Sequence, residues 1–183
     1  MRAPRFMRLG LQAALVAAVG GWAAAGYLYF IAMPALVNTH KVAYTLDLID
    51  HFEDSPAHQV YMQLGDDLKP WWDQIEELQR KIASATDDDA RAKLISDRDE
   101  TLIAYLNQRS LTSQTDLLIN AFSPFKRCLD VDACDDDVLR KSISIDVKRI
   151  YRTFRPYIEA VRSQPGKESF GRDLEDLFFR FVA

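Results

Sequence analysis

The residues that could do chemistry in this 183-residue chain are two cysteines, three histidines and several acidic clusters, and their spacing limits what that chemistry can be. Cys128 and Cys134 stand C-x5-C across Leu129-Asp130-Val131-Asp132-Ala133. In an oxidising compartment a disulfide would close this small loop and add about 2 to 3 kcal/mol. Unpaired packing thiols and a metal are the alternatives. Metal is the weakest, because C-x5-C lacks the C-x2-C spacing of tetrahedral sites and no histidine lies nearby. Asp130, Asp132, Asp135, Asp136 and Asp137 offer hard oxygen ligands for calcium. The run has neither the glycine nor the terminal glutamate of a calcium loop, and capping of the helix that follows accounts for its last three members. His51, Glu53, His58 and Asp66 match no metal motif, and Pro56 interrupts the helix that would align them, so a solvated segment is the plainer reading. No Gly-x-Ser-x-Gly elbow and no phosphate-cradling glycine loop is present. The sequence therefore assigns no catalytic residue, no metal ligand and no cofactor.

Binding residues remain. Trp71 and Trp72 are adjacent, so about 100° of helix rotation separates them, which predicts one in the core and one at an interface. Lys141, Lys148, Arg152, Arg155 and Arg162 form a basic stripe that could meet an acidic partner or anionic headgroups. Asp146 and Glu159 partly neutralise it, as on an ordinary solvated face. Of this stripe, Lys148, Arg152 and Arg155 join the two tryptophans as candidates for partner binding.

The elements that position these residues are helical. Val42, Leu46 and Ile49 place apolar groups at helical spacing up to Pro56. A second helix begins near Pro70 and repeats apolar residues at Trp71, Trp72, Ile75, Leu78 and Ile82. Asp87-Asp88-Asp89 reads as the start of a third, carrying Leu94, Ile95, Leu102, Tyr105 and Leu106. Leu118, Phe122 and Phe125 follow in a segment that Pro124 is expected to bend or end. After Asp135-Asp136-Asp137, apolar residues at Leu139, Ile143, Val147, Ile150, Phe154, Tyr157 and Val161 define a core helix, with a kink or break expected near Pro156. Gln164-Pro165-Gly166 stops it, and Phe170, Leu174, Phe178 and Phe181 mark a last amphipathic helix. No period-two alternation points to a sheet. The expected fold class is all-α: an N-terminal transmembrane helix, a juxtamembrane helical segment over 38–66, and a bundle of about four to five helices over 67–183.

From Leu11 to Val37 there is no Asp, Glu, Lys or Arg, and about 20 apolar residues suffice to cross a bilayer. Positions 1–37 thus read as a basic leader (Arg2, Arg5, Arg8) and a span. A cleaved secretory signal is the rival, with Ala23-Ala24-Ala25-Gly26 as a cleavage site, but the apolar run continues through Tyr27, Leu28, Tyr29, Phe30 and Ile31. The positive-inside rule puts the N-terminus in the cytoplasm and the soluble domain in the periplasm or outside the cell, held at the inner or cell membrane. Ala13, Ala17, Gly21 and Ala25 recur every four residues, a ladder that lets two membrane helices approach closely, although an alanine-rich segment produces such ladders by chance. Beyond the leader the chain holds 20 basic against 27 acidic residues, a net charge of −7 that argues against nucleic acid as a partner.

One resemblance adds to this. Leu118 to Cys128 (LINAFSPFKRC), Ala133 to Leu139 (ACDDDVL) and Tyr151 to Arg162 (YRTFRPYIEAVR) resemble a bacterial family of small single-span, membrane-anchored helical domains of unknown function. The resemblance covers about a third of the chain and departs from the family at Cys134. It implies fold and topology, and no activity or disulfide that could be carried over. The functional expectation is a non-catalytic, membrane-anchored interaction or scaffold module whose partners are the bilayer and either a membrane protein or a second copy of itself. An accessory subunit of a larger membrane complex, and a metal-dependent or hydrolytic enzyme with a dispersed Asp/Glu/His site, are the alternatives.

Overall fold

A computed structural model describes residues 33–182 together with Leu28. The expected span and its ladder of Ala13, Ala17, Gly21 and Ala25 lie outside the described residues. Among the described residues no helix is long and apolar enough to cross a membrane. The chain divides into two compact units between Ala43 and Tyr44. Of the first, only the opening turns of a helix are described, with Met33, Leu36 and Val37 exposed.

The elements are α1 (Met33–Glu53), α2 (Pro56–Asp67), α3 (Lys69–Ser84), α4 (Asp88–Gln108), α5 (Thr112–Asn120), α6 (Ser123–Asp130), α7 (Asp136–Arg162) and α8 (Arg172–Val182). All described regular structure is helical. Six of these helices fall between Lys69 and Val182, against the four to five expected, because Pro124, expected to bend or end its segment, starts a helix of its own. Pro56, Pro70 and Pro124 each occupy the first turn of a helix, where a missing amide costs nothing. Pro124 therefore opens α6 instead of ending the helix before it. Pro156 goes the other way: α7 runs through it to Arg162 without a break, since the buried row on either side holds the helix in place.

Local signals account for the helix starts. Asp87 and Asp135 accept hydrogen bonds from the amides of Ala90 and Val138, both 2.9 Å. Acidic residues also fill the first turns of α4 and α7, where the helix dipole favours them. Ser55 caps α2 through the amide of His58. The row predicted along α7 is the spine of the core: Leu139, Ile143, Val147, Ile150, Phe154 and Tyr157 are buried, and Val161 is partly so. Around it pack Leu64 of α2, Trp71 and Ile75 of α3, Leu102 and Leu106 of α4, Leu118 and Ile119 of α5, Phe122 and Phe125 beside them, and Leu174 and Leu177 of α8. The segment read as solvated joins this core as well, since Thr45, Ile49, Ala57 and Leu64 are buried. Thr45 has a specific task, its hydroxyl accepting the amide of Asp135 at 2.8 Å and so tying the second half of α1 to the start of α7.

Candidate functional site

An opening with a distinct chemistry lies between α2 and α7. It is a cleft of about 450 Å³ lined by Tyr61, Leu64, Gly65 and Leu68 on one side and by Arg149, Ile150, Thr153 and Phe154 on the other. Trp72 and the buried Leu118 also line it. Met62 and Trp72 on its rim are 63% and 40% exposed, and the polar Gln63 and Asp66 also line it. Gly65 widens the cleft, because a Cβ built there meets nothing within 4 Å. This combination of size, apolar lining and few polar groups is that of a ligand pocket.

One polar cluster sits on the cleft wall. The Tyr61 hydroxyl donates to Asp146 Oδ1 at 2.8 Å and accepts from Arg149 Nη1 at 3.2 Å. Burial, and then the hydrogen bond to the Asp146 carboxylate, push the Tyr61 hydroxyl above its ordinary pKa, so it stays protonated at neutral pH. Its one donor is thereby committed within the protein. It is a fixed wall, not a poised nucleophile or base.

Behind Trp72 lies a second, smaller cavity of about 50 Å³, and Trp72 and Thr153 line both spaces. Its other walls are Trp71, Gln79, Arg98, Asp99, Leu102, Arg152 and Pro156. Trp71 is only 3% exposed, yet its indole Nε1 has no hydrogen-bond acceptor among the described residues. Arg98 is engaged with Asp99, whose Oδ1 accepts from Nε at 2.8 Å and Nη2 at 2.6 Å. Arg152 lies over the Phe178 ring, its guanidinium carbon 5.9 Å from the centroid. That is the reach of a cation–π contact.

The sequence candidates divide around this site. Trp71 and Trp72 split between core and surface, their rings 4.7 Å apart and edge to face. Of the basic stripe, Arg152 reaches the smaller cavity, whereas Lys148 is exposed and Arg155 is engaged with Glu159 at 2.7 Å. Arg162 is turned inward, bonded to Glu175 at 2.8 Å and to the Phe170 carbonyl at 2.7 Å. The stripe is therefore not one binding surface. Cys128 and Cys134 form a disulfide with Cα atoms 5.5 Å apart, which pins the turn between α6 and α7.

No group of three or more potential ligands among the described residues could hold a metal ion. The acidic run is spent on structure: Asp135 caps α7, Asp136 pairs with Arg140 and Arg180, and Asp130 with Lys126. His58 Nδ1 lies 2.8 Å from the Glu53 carbonyl, which closes the turn between α1 and α2. A third opening of about 240 Å³, bounded by Leu48, Phe52, Ala57, Leu117 and Phe125, is apolar but has no unpartnered buried polar group to orient a ligand.

Sequence reasoning missed Tyr61, Gly65, Arg98, Arg149 and Thr153. One signal was available. Gly65 is an unforced glycine inside an otherwise regular helix, a position that costs about 1 kcal/mol relative to alanine and so asks for a reason. No protein-family model, curated protein sequence or solved structure matches this chain.

Proposed function

We propose that this protein is a membrane-anchored helical module that works by binding and not by catalysis, with the cleft between α2 and α7 as its binding site. The observation that carries the reading is the apolar cleft itself, about 450 Å³ with Met62 and Trp72 exposed on its rim. Large apolar side chains left in water around a concave surface mark an interaction site. The anchor is a single spanning helix within the uncharged stretch from Leu11 to Val37, preceded by Arg2, Arg5 and Arg8 on the cytoplasmic side. A domain carried outside the cytoplasm is in keeping with a disulfide between its only two cysteines. The anchor confines binding to the membrane surface, where the partner or ligand is presented.

Gly65 supplies the test, because a side chain there enters the cleft without meeting the core. The full-length protein and its Gly65→Leu variant are purified in mild detergent from the native host, and what accompanies each is compared by mass spectrometry. A membrane protein or small molecule present with the wild type and lost with the variant, at equal thermal stability, supports the reading. Identical company for both proteins contradicts the cleft as the binding site. Association lost only when Gly21 is replaced by Leu would move the function to the span and make the chain an accessory subunit of a membrane complex.

A further inference from the structure

We propose that the outward face of α7 is a docking surface for a second copy of this chain, which it meets through the acidic outward face of α1. At 3.6 residues per turn, Lys141, Ile145, Lys148 and Arg152 fall within about 60° of the α7 circumference, opposite the buried row. All four are exposed, and Ile145 stands among the cations at 68% exposure. On α1 the side turned away from the buried Thr45 and Ile49 carries Leu46, Asp47, Asp50, Glu53 and Asp54 within about 120°. These five are exposed too, Leu46 at 47%. The α7 row extends about 17 Å and the α1 row about 12 Å, so the faces are comparable in length and opposite in sign.

Elsewhere the chain sets opposite charges four residues apart on its helices: Glu76 with Arg80, Glu77 with Lys81, Lys126 with Asp130, Asp136 with Arg140, and Arg155 with Glu159. That spacing stabilises a helix, and like charges at the same spacing destabilise it by a similar amount. The two outward faces do the second. Asp47 and Asp50, Asp50 and Glu53, and Asp50 and Asp54 put carboxylates three or four residues apart, and Lys148 and Arg152 do the same with cations. From Tyr44 to Asp54 there is no Lys or Arg, and His51 makes no ion pair among the described residues. Along α7 the remaining acids are elsewhere engaged or out of reach. Asp146 accepts from Tyr61, Glu159 pairs with Arg155, and Asp137, one turn before Lys141, forms no ion pair with it. The cations and carboxylates of the two faces thus have no ion-pair partner among the described residues, and Arg152 has only the ring of Phe178.

Two self-repelling faces of opposite sign select the occupant. A foreign acidic partner would relieve α7 and leave α1 as it is, and a basic one would do the converse. A second copy relieves both. It also sets Ile145 against Leu46, which places apolar contact at the centre and charge around it, the usual anatomy of an interface. Because the two faces differ, each contact joins α7 of one copy to α1 of another. Arg155 and Arg162, the last members of the basic stripe, stay outside this surface because each is paired within its own chain.

The inference does not use the cleft, and the experiment keeps the two apart. A photoreactive apolar residue replaces Ile145 in the full-length protein in native membranes, and the adducts are sized and mapped by mass spectrometry. The expected product has twice the mass of the chain, with the crosslink in residues 46–54. High salt should lower its yield several-fold, since exposed charges are screened. Lys141→Glu with Lys148→Glu should lower it about tenfold or more, as should Asp47→Lys with Asp50→Lys, because each pair of changes sets like charges against each other. All four changes together exchange the signs of the two faces and should restore the product. The positions are exposed, and thermal unfolding checks that every variant folds. Gly65→Leu, which fills the cleft, should leave the yield unchanged. An adduct to a different protein in place of a second copy, a crosslink outside residues 46–54, a yield indifferent to both charge reversals, or no recovery in the fourfold variant overturns the proposal, and none of these outcomes bears on the cleft.

Discussion

The two sides of α7 are held in different ways. Along the α8 side most polar groups are tied down, although the buried Nη2 of Arg162 has no partner among the described residues. Tyr151 donates to Glu175 at 2.7 Å, Arg162 bridges Glu175 and the Phe170 carbonyl, Arg180 reaches Asp136 at 2.9 Å, and the disulfide pins the turn from α6. Gly171 lets the chain re-enter, at φ +67° and with a Cβ position only 3.1 to 3.2 Å from Ile158 and Ile119. On the α2 and α3 side, packing leaves open space, exposed apolar rims and one buried donor without a partner. Polar atoms that satisfy one another make a clasp, and those left over beside apolar space make a site. Binding capacity resides where the fold has not used up its own groups.

Variants in the clasp should therefore cost stability, and variants in the cleft should cost binding. The largest effect is expected from Leu174→Ala, which truncates a fully buried side chain between α7 and α8. Denaturant unfolding should register a loss of about 2 to 5 kcal/mol. Gly171→Ala combines a left-handed backbone with a tight contact. It should cost about 1 to 3 kcal/mol by the same measurement. The disulfide closes only a short loop. Breaking it with Cys128→Ser and Cys134→Ser together should cost about 2 kcal/mol. None of these changes should alter the ligand affinity of protein that remains folded; a large affinity loss would join the two regions that the comparison separates.

Acid is a gentler probe of the clasp. Burial raises the Glu175 pKa, but the Tyr151 hydroxyl and Arg162 together outweigh it, and the carboxyl is held below its ordinary value. Its contribution is thus present above the unfolded carboxylate pKa of about 4.3 and is lost as pH falls through the lower folded value. Wild type should lose stability on acidification below about pH 4, and Glu175→Gln should flatten that slope while lowering stability at neutral pH. The Tyr151 hydroxyl, raised to about 12 by burial and by Glu175, stays protonated throughout this window. The smallest effect belongs to the cleft, where a Cβ added at Gly65 strikes nothing. Gly65→Ala should stabilise by about 0.5 to 1 kcal/mol, because helix propensity improves. A destabilising Gly65→Ala would show that the cleft is narrower than described.

What was legible in the sequence follows the same division. Helix starts are local, and Asp87, Asp135 and Pro70 announced theirs through capping and first-turn chemistry. The core row of α7 was legible because a 3.6-residue period needs no knowledge of neighbours. Prolines were read less well, since Pro124 and Pro156 have opposite roles that tertiary packing decides. The site itself was out of reach. Tyr61 and Asp146 are 85 residues apart, and no periodicity within either helix reveals that they face each other. Trp71 and Trp72 were visible as a pair, but the orphaned indole that gives Trp71 its meaning depends on α4 and α7 closing around it.

The central claim, that the open side of α7 binds and the clasped side does not, is tested most directly by photo-crosslinking in native membranes. A photoreactive residue replaces Met62 on the cleft rim or Phe179 on α8, two apolar positions of similar exposure at 63% and 57%. A discrete adduct is expected from position 62, abolished by Gly65→Leu, and none from position 179. Adducts from both positions alike, or from 179 alone, would contradict it.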